Sequence, residues 1–167
     1  RDRIEIIRTG DDTIKDFISA VMEPAGLALT PDGRRLFVTS ATQGTLTVIN
    51  TQDLTLSDVI DLGSAFGPSG IRVAPGGDFF YVTGFSSTKI LALDTGDLSI
   101  KASIDLGLEP SSIAFSSDGT FAYVQHTKEG VISEIQTSDH RPVGRKPYGS
   151  LSMDAGAALI YTASYES

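Results

Sequence analysis

Four polar side chains are the residues most able to do chemistry: Arg72, Glu109, His126 and Glu23. A guanidinium could clamp a carboxylate or phosphate, and an imidazole could bind a ligand or transfer a proton near neutral pH. Glu23 and Glu109 each precede a proline, and two carboxylates in equivalent positions could share a cation. These four residues are the candidate ligand-binding set.

Each candidate also has a structural interpretation. Arg72 could form an ion pair with a neighbouring element, His126 could bond a loop or lie at the surface, and the two glutamates could be solvated. No catalytic residue is assigned, because the sequence contains no GxSxG, HExxH, phosphate-binding glycine loop or EF-hand loop. No metal and no other cofactor is predicted, since there are only two separated histidines and no cysteine.

Composition restricts the classes of partner. The 167 residues include 13 Lys plus Arg against 21 Asp plus Glu, a formal charge of −8, and no basic stripe that could follow phosphates. We therefore expect no nucleic acid partner. No apolar run approaches the roughly eighteen residues that span a bilayer, so no membrane span is expected. Because the sequence starts at Arg1 without Met or a signal-like segment, we expect a processed product or an excerpt of a longer chain.

The candidates are carried by a repeated element: two short apolar runs on either side of a tight turn. The turn in the first copy is Pro31-Asp32-Gly33, in which proline presets φ and glycine accepts a positive φ. An aromatic residue ends the second run of each copy, at separations of 44, 42 and 38 residues: Phe37, Tyr81, Tyr123 and Tyr161. A threonine follows a third run at separations of 42, 44 and 42 residues: Thr9, Thr51, Thr95 and Thr137.

A repeat of about 42 residues with four short strands predicts an all-β β-propeller built from four-stranded antiparallel blades. Such a small sheet cannot bury enough surface alone, and radial stacking covers both of its faces. A sandwich would show alternating apolar and polar residues, whereas Leu46–Ile49, Phe79–Val82 and Ile90–Leu93 are almost continuously apolar. The segment 11–22 could be taken for a helix, but its place in the repeat predicts a strand.

The repeat divides the chain into about four blades. We predict an outer half-blade at 1–24, blades at 25–68, 69–110 and 111–150, and an inner half-blade at 151–167. Three closures stay open. The chain could be part of a larger ring of six to eight blades, which we favour; Ile4–Ala20 could pair with Leu151–Ser164 and close a ring of four; or two chains could complete one eight-bladed ring.

Propeller strand order would place the candidate residues on or near one rim, where ligands usually bind. Arg72 would lie midway along an innermost strand, near the central channel. His126 would end a second strand and project toward the rim. The loops predicted to share that rim are Met22–Gly26, Gly63–Ser69, Leu108–Ser112, Ser40–Thr45, Gly84–Lys89 and His126–Val131.

Three stretches resemble the YVTN family of β-propeller repeats: residues 24–40 (PAGLALTPDGRRLFVTS), 80–84 (FYVTG) and 47–51 (TVINT). That resemblance implies an exported protein, periplasmic, secreted or part of a surface layer. It implies no family-wide catalytic residue. Related propellers occur in lactonases and in periplasmic redox enzymes.

Two functions follow from the resemblance and the candidate residues. The first is a non-enzymatic scaffold whose rim binds a protein or polymer partner, alongside further blades from the same or another chain. The alternative is part of a propeller enzyme, a lactonase-like hydrolase or a redox-enzyme subunit, using Arg72, Glu109 and His126.

Overall fold

The computed structural model describes residues 3–19 and 21–147, and this part of the chain is all-β with no helix. It contains fourteen strands: β1 (Ile4–Arg8), β2 (Thr13–Ile18), β3 (Pro24–Leu29), β4 (Arg35–Ser40), β5 (Thr45–Asn50), β6 (Leu56–Asp61), β7 (Pro68–Val73), β8 (Phe79–Gly84), β9 (Lys89–Asp94), β10 (Ile100–Asp105), β11 (Ser112–Phe115), β12 (Phe121–His126), β13 (Val131–Gln136) and β14 (Arg141–Pro147).

The strands form four antiparallel sheets, each ordered as in the sequence. β1 and β2 make a two-stranded hairpin. Blade 1 (β3–β6), blade 2 (β7–β10) and blade 3 (β11–β14) are four-stranded meanders. The predicted all-β class and the four-stranded antiparallel unit are confirmed, and the segment that could have been a helix contains β2. The arrangement is propeller-like, and the sheets of the described residues do not close a ring.

The predicted inner half-blade at 151–167 lies outside the described residues. No helix in the described ranges is long and apolar enough to cross a membrane.

Repeated hydroxyl contacts explain why blades 1 and 3 form the same turn between their first and second strands. In blade 1 the Thr30 hydroxyl donates to Asp32 at 2.5 Å, and Asp32 also accepts from the Arg34 N–H at 3.0 Å. Ser116 and Asp118 repeat this contact in blade 3 at 2.6 Å. The aspartate carboxylate thus stabilises the turn that the sequence predicts, and Gly33 in the turn of blade 1 has a φ of 70°.

The core lies between facing sheets rather than inside any one sheet. Phe37 of blade 1 stacks on Phe80 of blade 2 with ring centroids 4.5 Å apart. Tyr81 of blade 2 stacks on Phe115 of blade 3 at 5.4 Å. All six residues of β8 are buried, as expected for a strand whose two faces are both covered.

The innermost strands of blades 1 and 2 approach closely. The Thr39 hydroxyl donates to the Ser69 carbonyl at 2.5 Å, which joins the two blades. A Cβ on Gly26 would lie 2.1 Å from that same carbonyl oxygen. Glycine at position 26 is therefore required by the spacing between the blades.

Candidate functional site

One rim carries the loops that precede each blade together with the loops between its second and third strands. The antiparallel register places Pro24 beside Ser40 and Pro68 beside Gly84, so these two kinds of loop meet at the same end of each sheet. Phe85 N–H donates to the Gly67 carbonyl at 2.8 Å across one such pair of loops. This end of the blades is called the upper rim below.

A cleft of about 640 Å³ opens on the upper rim and crosses all three blades. It is called the rim cleft. Blade 1 contributes Ala25; the rest of the lining comes from blades 2 and 3 and the loop before blade 3: Ser69, Gly70, Phe85, Ser86, Glu109, Pro110, Ser111, Thr127 and Lys128. Loops from several blades converge here, and backbone hydrogen bonds join some of them. The cleft is therefore the best candidate for a binding site in the described residues.

Glu109 is the one predicted candidate that lines the rim cleft. Its carboxylate accepts a hydrogen bond from the Lys128 ammonium and forms an ion pair with it. This partner raises the pKa of Lys128, so the lysine stays charged. Both side chains are exposed, and a pair of this kind contributes little to stability. The pair is therefore better suited to binding a ligand than to stabilising the fold.

Hydroxyl groups surround this ion pair. Thr127 donates to the Ser111 hydroxyl at 2.7 Å, and Ser111 donates to the Gln125 carbonyl at 2.9 Å. On blade 2, the Ser69 hydroxyl lies 3.1 Å from the Thr83 hydroxyl. The cleft wall can therefore both donate and accept hydrogen bonds.

His126 lies beneath the rim cleft, and the expectation that it projects toward the rim is corrected. The side chain is fully buried. Its Nδ1 lies 3.0 Å from the Glu109 carbonyl and its Nε2 lies 2.8 Å from the Ser133 hydroxyl. A carbonyl can only accept, so Nδ1 carries the hydrogen and Nε2 accepts from Ser133. Burial lowers the pKa of His126, which keeps the ring neutral.

The bonds of His126 make it a support for Glu109. Arg145 on the outermost strand donates to the Ser133 hydroxyl at 3.3 Å, and Ser133 donates to His126. The chain Arg145, Ser133, His126, Glu109 thus runs from the blade edge to the rim. Each link restrains the next, and the last restrains the backbone that carries the Glu109 carboxylate.

Glu23 occupies on blade 1 the place that Glu109 occupies on blade 3. Its carboxylate accepts from Thr42, as that of Glu109 accepts from Lys128. Each glutamate is therefore engaged by the loop of its own blade. No group of three or more His, Cys, Asp or Glu side chains that could hold a metal ion occurs among the described residues.

Arg72 lies on the innermost strand β7, as predicted, with an exposed side chain. Its Nε donates to the Ile113 carbonyl of blade 3 at 3.4 Å, a long hydrogen bond between neighbouring inner strands. Arg72 does not line the rim cleft. Arg72 therefore does not join Glu109 in the rim cleft, and the His126 ring contacts Glu109 at its backbone carbonyl.

Two residues of the rim cleft were missed by the sequence analysis. Phe85 is 76% exposed, the most exposed of the large apolar side chains in the described ranges. It follows the second strand of blade 2, where the other blades have Ala41 and Thr127, so a comparison of the repeats could have identified it. Lys128 could have been identified as an opposite charge on a loop predicted to share the rim with Glu109.

Comparison with known proteins supports the fold and assigns neither a family nor a function to this chain. No family model matches the chain, and no curated protein matches it. Among solved structures, hydrazine synthase from Kuenenia stuttgartiensis superposes with a TM-score of 0.78 at 22% sequence identity. The match covers 87% of this chain and 43% of that chain, so this chain spans less than half of the structure that it resembles.

Proposed function

We propose that this chain is a β-propeller binding module whose rim cleft holds a protein partner. The observation that carries the proposal is Phe85, a large apolar side chain that is 76% exposed and lines a cleft together with four hydroxyl side chains and one ion pair. Aromatic side chains are enriched in protein interfaces and often act as binding hot spots there. The net charge of −8 makes a polyanionic polymer a poor occupant.

The proposal also states the size of the propeller ring and the family of the repeats. The three described blades belong to a larger ring of six to eight blades of the YVTN type, and the rim loops of the remaining blades extend the binding surface. The repeated unit and the superposition on a chain more than twice as long support the larger ring. The YVTN type is proposed from the sequence resemblance alone. Export to the periplasm or cell surface goes with that family, and fractionation of source cells tests it.

Site-specific cross-linking tests partner binding at the rim cleft. A photo-reactive phenylalanine analogue replaces Phe85, and in a matched control it replaces Phe17, which is also exposed but lies on β2. Extracts of the source organism should yield a discrete cross-linked protein from position 85 and not from position 17. Lys128→Glu should weaken that product, because it places a second negative charge beside Glu109. Equal labelling from both positions would contradict the proposal.

The alternative is that the chain forms part of a propeller enzyme, and the similarity to a synthase favours it specifically. In that case Glu109 and Arg72 would contribute to a site completed by residues outside the described ranges, with His126 restraining Glu109. Affinity purification of the tagged chain from its source decides between the two. A stoichiometric enzyme subunit with cofactor absorbance would support the alternative and overturn the non-enzymatic scaffold.

A further inference from the structure

A second cleft lies at the end of the blades opposite the upper rim, between blades 2 and 3. This end carries the turns between the first and second strands and between the third and fourth strands, and it is called the lower rim. The cleft has a volume of about 340 Å³ and is called the lower cleft. This volume is at the small end of the range of ligand pockets, about 300 to 1,000 Å³. The polar residues that line it are Asp78, Lys101, Asp118, Thr137, Ser138 and His140.

The repeat shows that blade 2 differs from the other blades at this cleft. Ala74 and Gly76 replace the bonded hydroxyl and carboxylate that Thr30 and Asp32 provide in blade 1. A carboxylate stands two residues later instead, at Asp78. A Cβ on Gly76 would lie 3.2 Å from the Asp78 Oδ1, so glycine leaves the room that this carboxylate occupies. The residues that match Asp78 in the other two blades are Arg34 and Thr120.

The lower cleft also has an imidazole where blades 1 and 2 have a leucine. His140 ends the turn after the third strand, which is the position of Leu54 and Leu98. Its side chain is half-buried, and its Nδ1 lies 2.8 Å from the hydroxyl of the buried Tyr81. That hydroxyl has no other hydrogen bond among the described residues, so it donates to Nδ1 and the ring hydrogen is on Nε2. Nε2 has no hydrogen-bond partner in the described ranges and can donate to a ligand.

Hydrogen bonds and ring contacts hold the walls of the lower cleft in place. Phe79 lines the cleft and meets the His140 ring edge to face, with the ring centroids 5.2 Å apart. The Thr137 hydroxyl donates to the Gly119 and Thr120 carbonyls at 2.6 and 2.9 Å, which joins the two turns of blade 3. A site whose walls are already fixed loses little conformational entropy when a ligand binds.

The groups that a ligand would meet in the lower cleft include both acceptors and donors. The Asp78 carboxylate forms no hydrogen bond or ion pair within the described ranges. Asp118 adds a second negative charge, because the Ser116 hydroxyl and other hydrogen bonds lower its pKa to about 2. The Lys101 ammonium pairs with Asp94 at 2.8 Å and forms no other hydrogen bond with the described residues, which leaves two of its three N–H groups. The imidazole Nε2 is a further donor.

We propose that the lower cleft binds a neutral sugar ring. A hydroxyl group both donates and accepts, so neighbouring hydroxyls of a sugar satisfy the Asp78 carboxylate and the Nε2–H of His140 at the same time. A cationic ligand would meet the Lys101 ammonium, and an anionic ligand would meet two carboxylates. Phe79 supplies an apolar wall for the C–H groups of the ring. This site is separate from the rim cleft and goes beyond the proposed function.

Nuclear magnetic resonance of the two histidine rings tests this site. His140 lines the lower cleft, whereas His126 is enclosed by its own hydrogen bonds beneath the opposite rim. The probes are glucose, galactose and mannose and their methyl glycosides, added at millimolar concentration to the intact chain. At least one should shift the ring resonances of His140 and leave those of His126 unchanged. Stronger binding of the glycoside would indicate a sugar within a glycan, and stronger binding of the free sugar a monosaccharide; either supports the proposal.

The same titration can overturn the proposal. It is wrong if no sugar shifts His140, or if both histidines shift alike. A shift caused by arginine methyl ester and by none of the sugars would identify a site for a cationic side chain, and would overturn it as well. Cross-linking from Phe85 reads the rim cleft separately, so the two proposals can fail independently.

Asp78→Asn tests the carboxylate at nearly constant shape. It should weaken sugar binding by about tenfold, since a hydrogen bond to a charged acceptor is replaced by one to an amide. Asp58→Asn is the matched control, because Asp58 is also exposed, has no hydrogen bond to its carboxylate within the described ranges and lies on β6 of blade 1. It should leave the affinity unchanged, and neither variant should alter the circular dichroism spectrum. Equal affinities of the two variants would overturn the site.

Discussion

One residue of each repeat shows how a change of side chain alters the contact between blades. The turn after each third strand ends in a residue with positive φ, namely Asp12, Leu54, Leu98 and His140. Leu54 and Leu98 pack against the preceding hairpin or blade. His140 is half-buried against blade 2, and its Nδ1 lies 2.8 Å from the Tyr81 hydroxyl.

We expect Tyr81 and His140 to be coupled. Tyr81 is fully buried, and burial raises its pKa, so the neutral hydroxyl donates to Nδ1. His140→Leu, which restores the residue of blades 1 and 2, leaves this hydroxyl unpaired and should cost about 1 to 3 kcal/mol of the free energy of unfolding. The double variant Tyr81→Phe/His140→Leu should lose less free energy of unfolding than the two single variants lose in sum. A double-mutant cycle by urea denaturation measures the coupling, and additive effects would contradict it.

The two histidines make stability depend on pH. Burial lowers the pKa of both His126 and His140. The unfolded chain binds their protons at about pH 6.5 and the folded chain does so only at lower pH, so the free energy of unfolding should fall as the pH decreases through about 6.5. For His140, Lys101 strengthens the effect, and Asp139 and Asp78 oppose it.

Urea denaturation at pH 7.5, 6.5 and 5.5 measures this dependence. The turn carboxylates have lowered pKa values, for example Asp118 at about 2, and lose their stabilising charge only below this window. Tyr81→Phe/His140→Leu should show a smaller loss than the wild type. Stability that is constant or rises toward pH 5.5 would contradict the assignment of two neutral, buried rings.

At the scale of the element, each blade is joined internally by a threonine that the repeat makes easy to find. The hydroxyls of Thr51, Thr95 and Thr137 donate to the carbonyls of the turn glycines Gly33, Gly77 and Gly119 at 2.6, 2.5 and 2.6 Å. This bond connects the end of the third strand to the turn between the first and second. It explains why threonine recurs at this position although it lies outside the strands.

Thr95→Val tests that bond at nearly constant volume. Thr95 is buried, so the variant leaves the Gly77 carbonyl with one hydrogen bond fewer and should destabilise the protein by about 1 kcal/mol. Thr45→Val is the control, since Thr45 is half-buried and its hydroxyl forms no hydrogen bond within the described ranges. Thermal or urea unfolding compares the two, and equal effects would show that the hydroxyl bond is not what stabilises the unit.

At the scale of the whole molecule, the approach of the inner strands limits what the blades can accommodate. Gly26→Ala places a Cβ against the Ser69 backbone, which cannot move aside as a flexible side chain could. We expect a loss of about 2 kcal/mol from the free energy of unfolding. Gly144→Ala is the control, because a Cβ on this strand glycine meets nothing within 4 Å. A neutral Gly26→Ala would mean that blades 1 and 2 are less closely packed than described.

The sequence by itself determined the repeat, the all-β class and the strands, because these depend on local spacing: apolar runs, a Pro-Asp-Gly turn and a threonine at a constant interval. It also located the upper rim, since antiparallel strand order follows from the repeat. Only the tertiary structure decided which candidate residues meet. His126 is buried because the Glu109 carbonyl and the Ser133 hydroxyl satisfy both ring nitrogens, and these partners come from segments 17 and 7 residues away. The exposure of Phe85 and the uncovered Leu27 likewise depend on which neighbouring blade covers each face, a long-range property that local spacing does not encode.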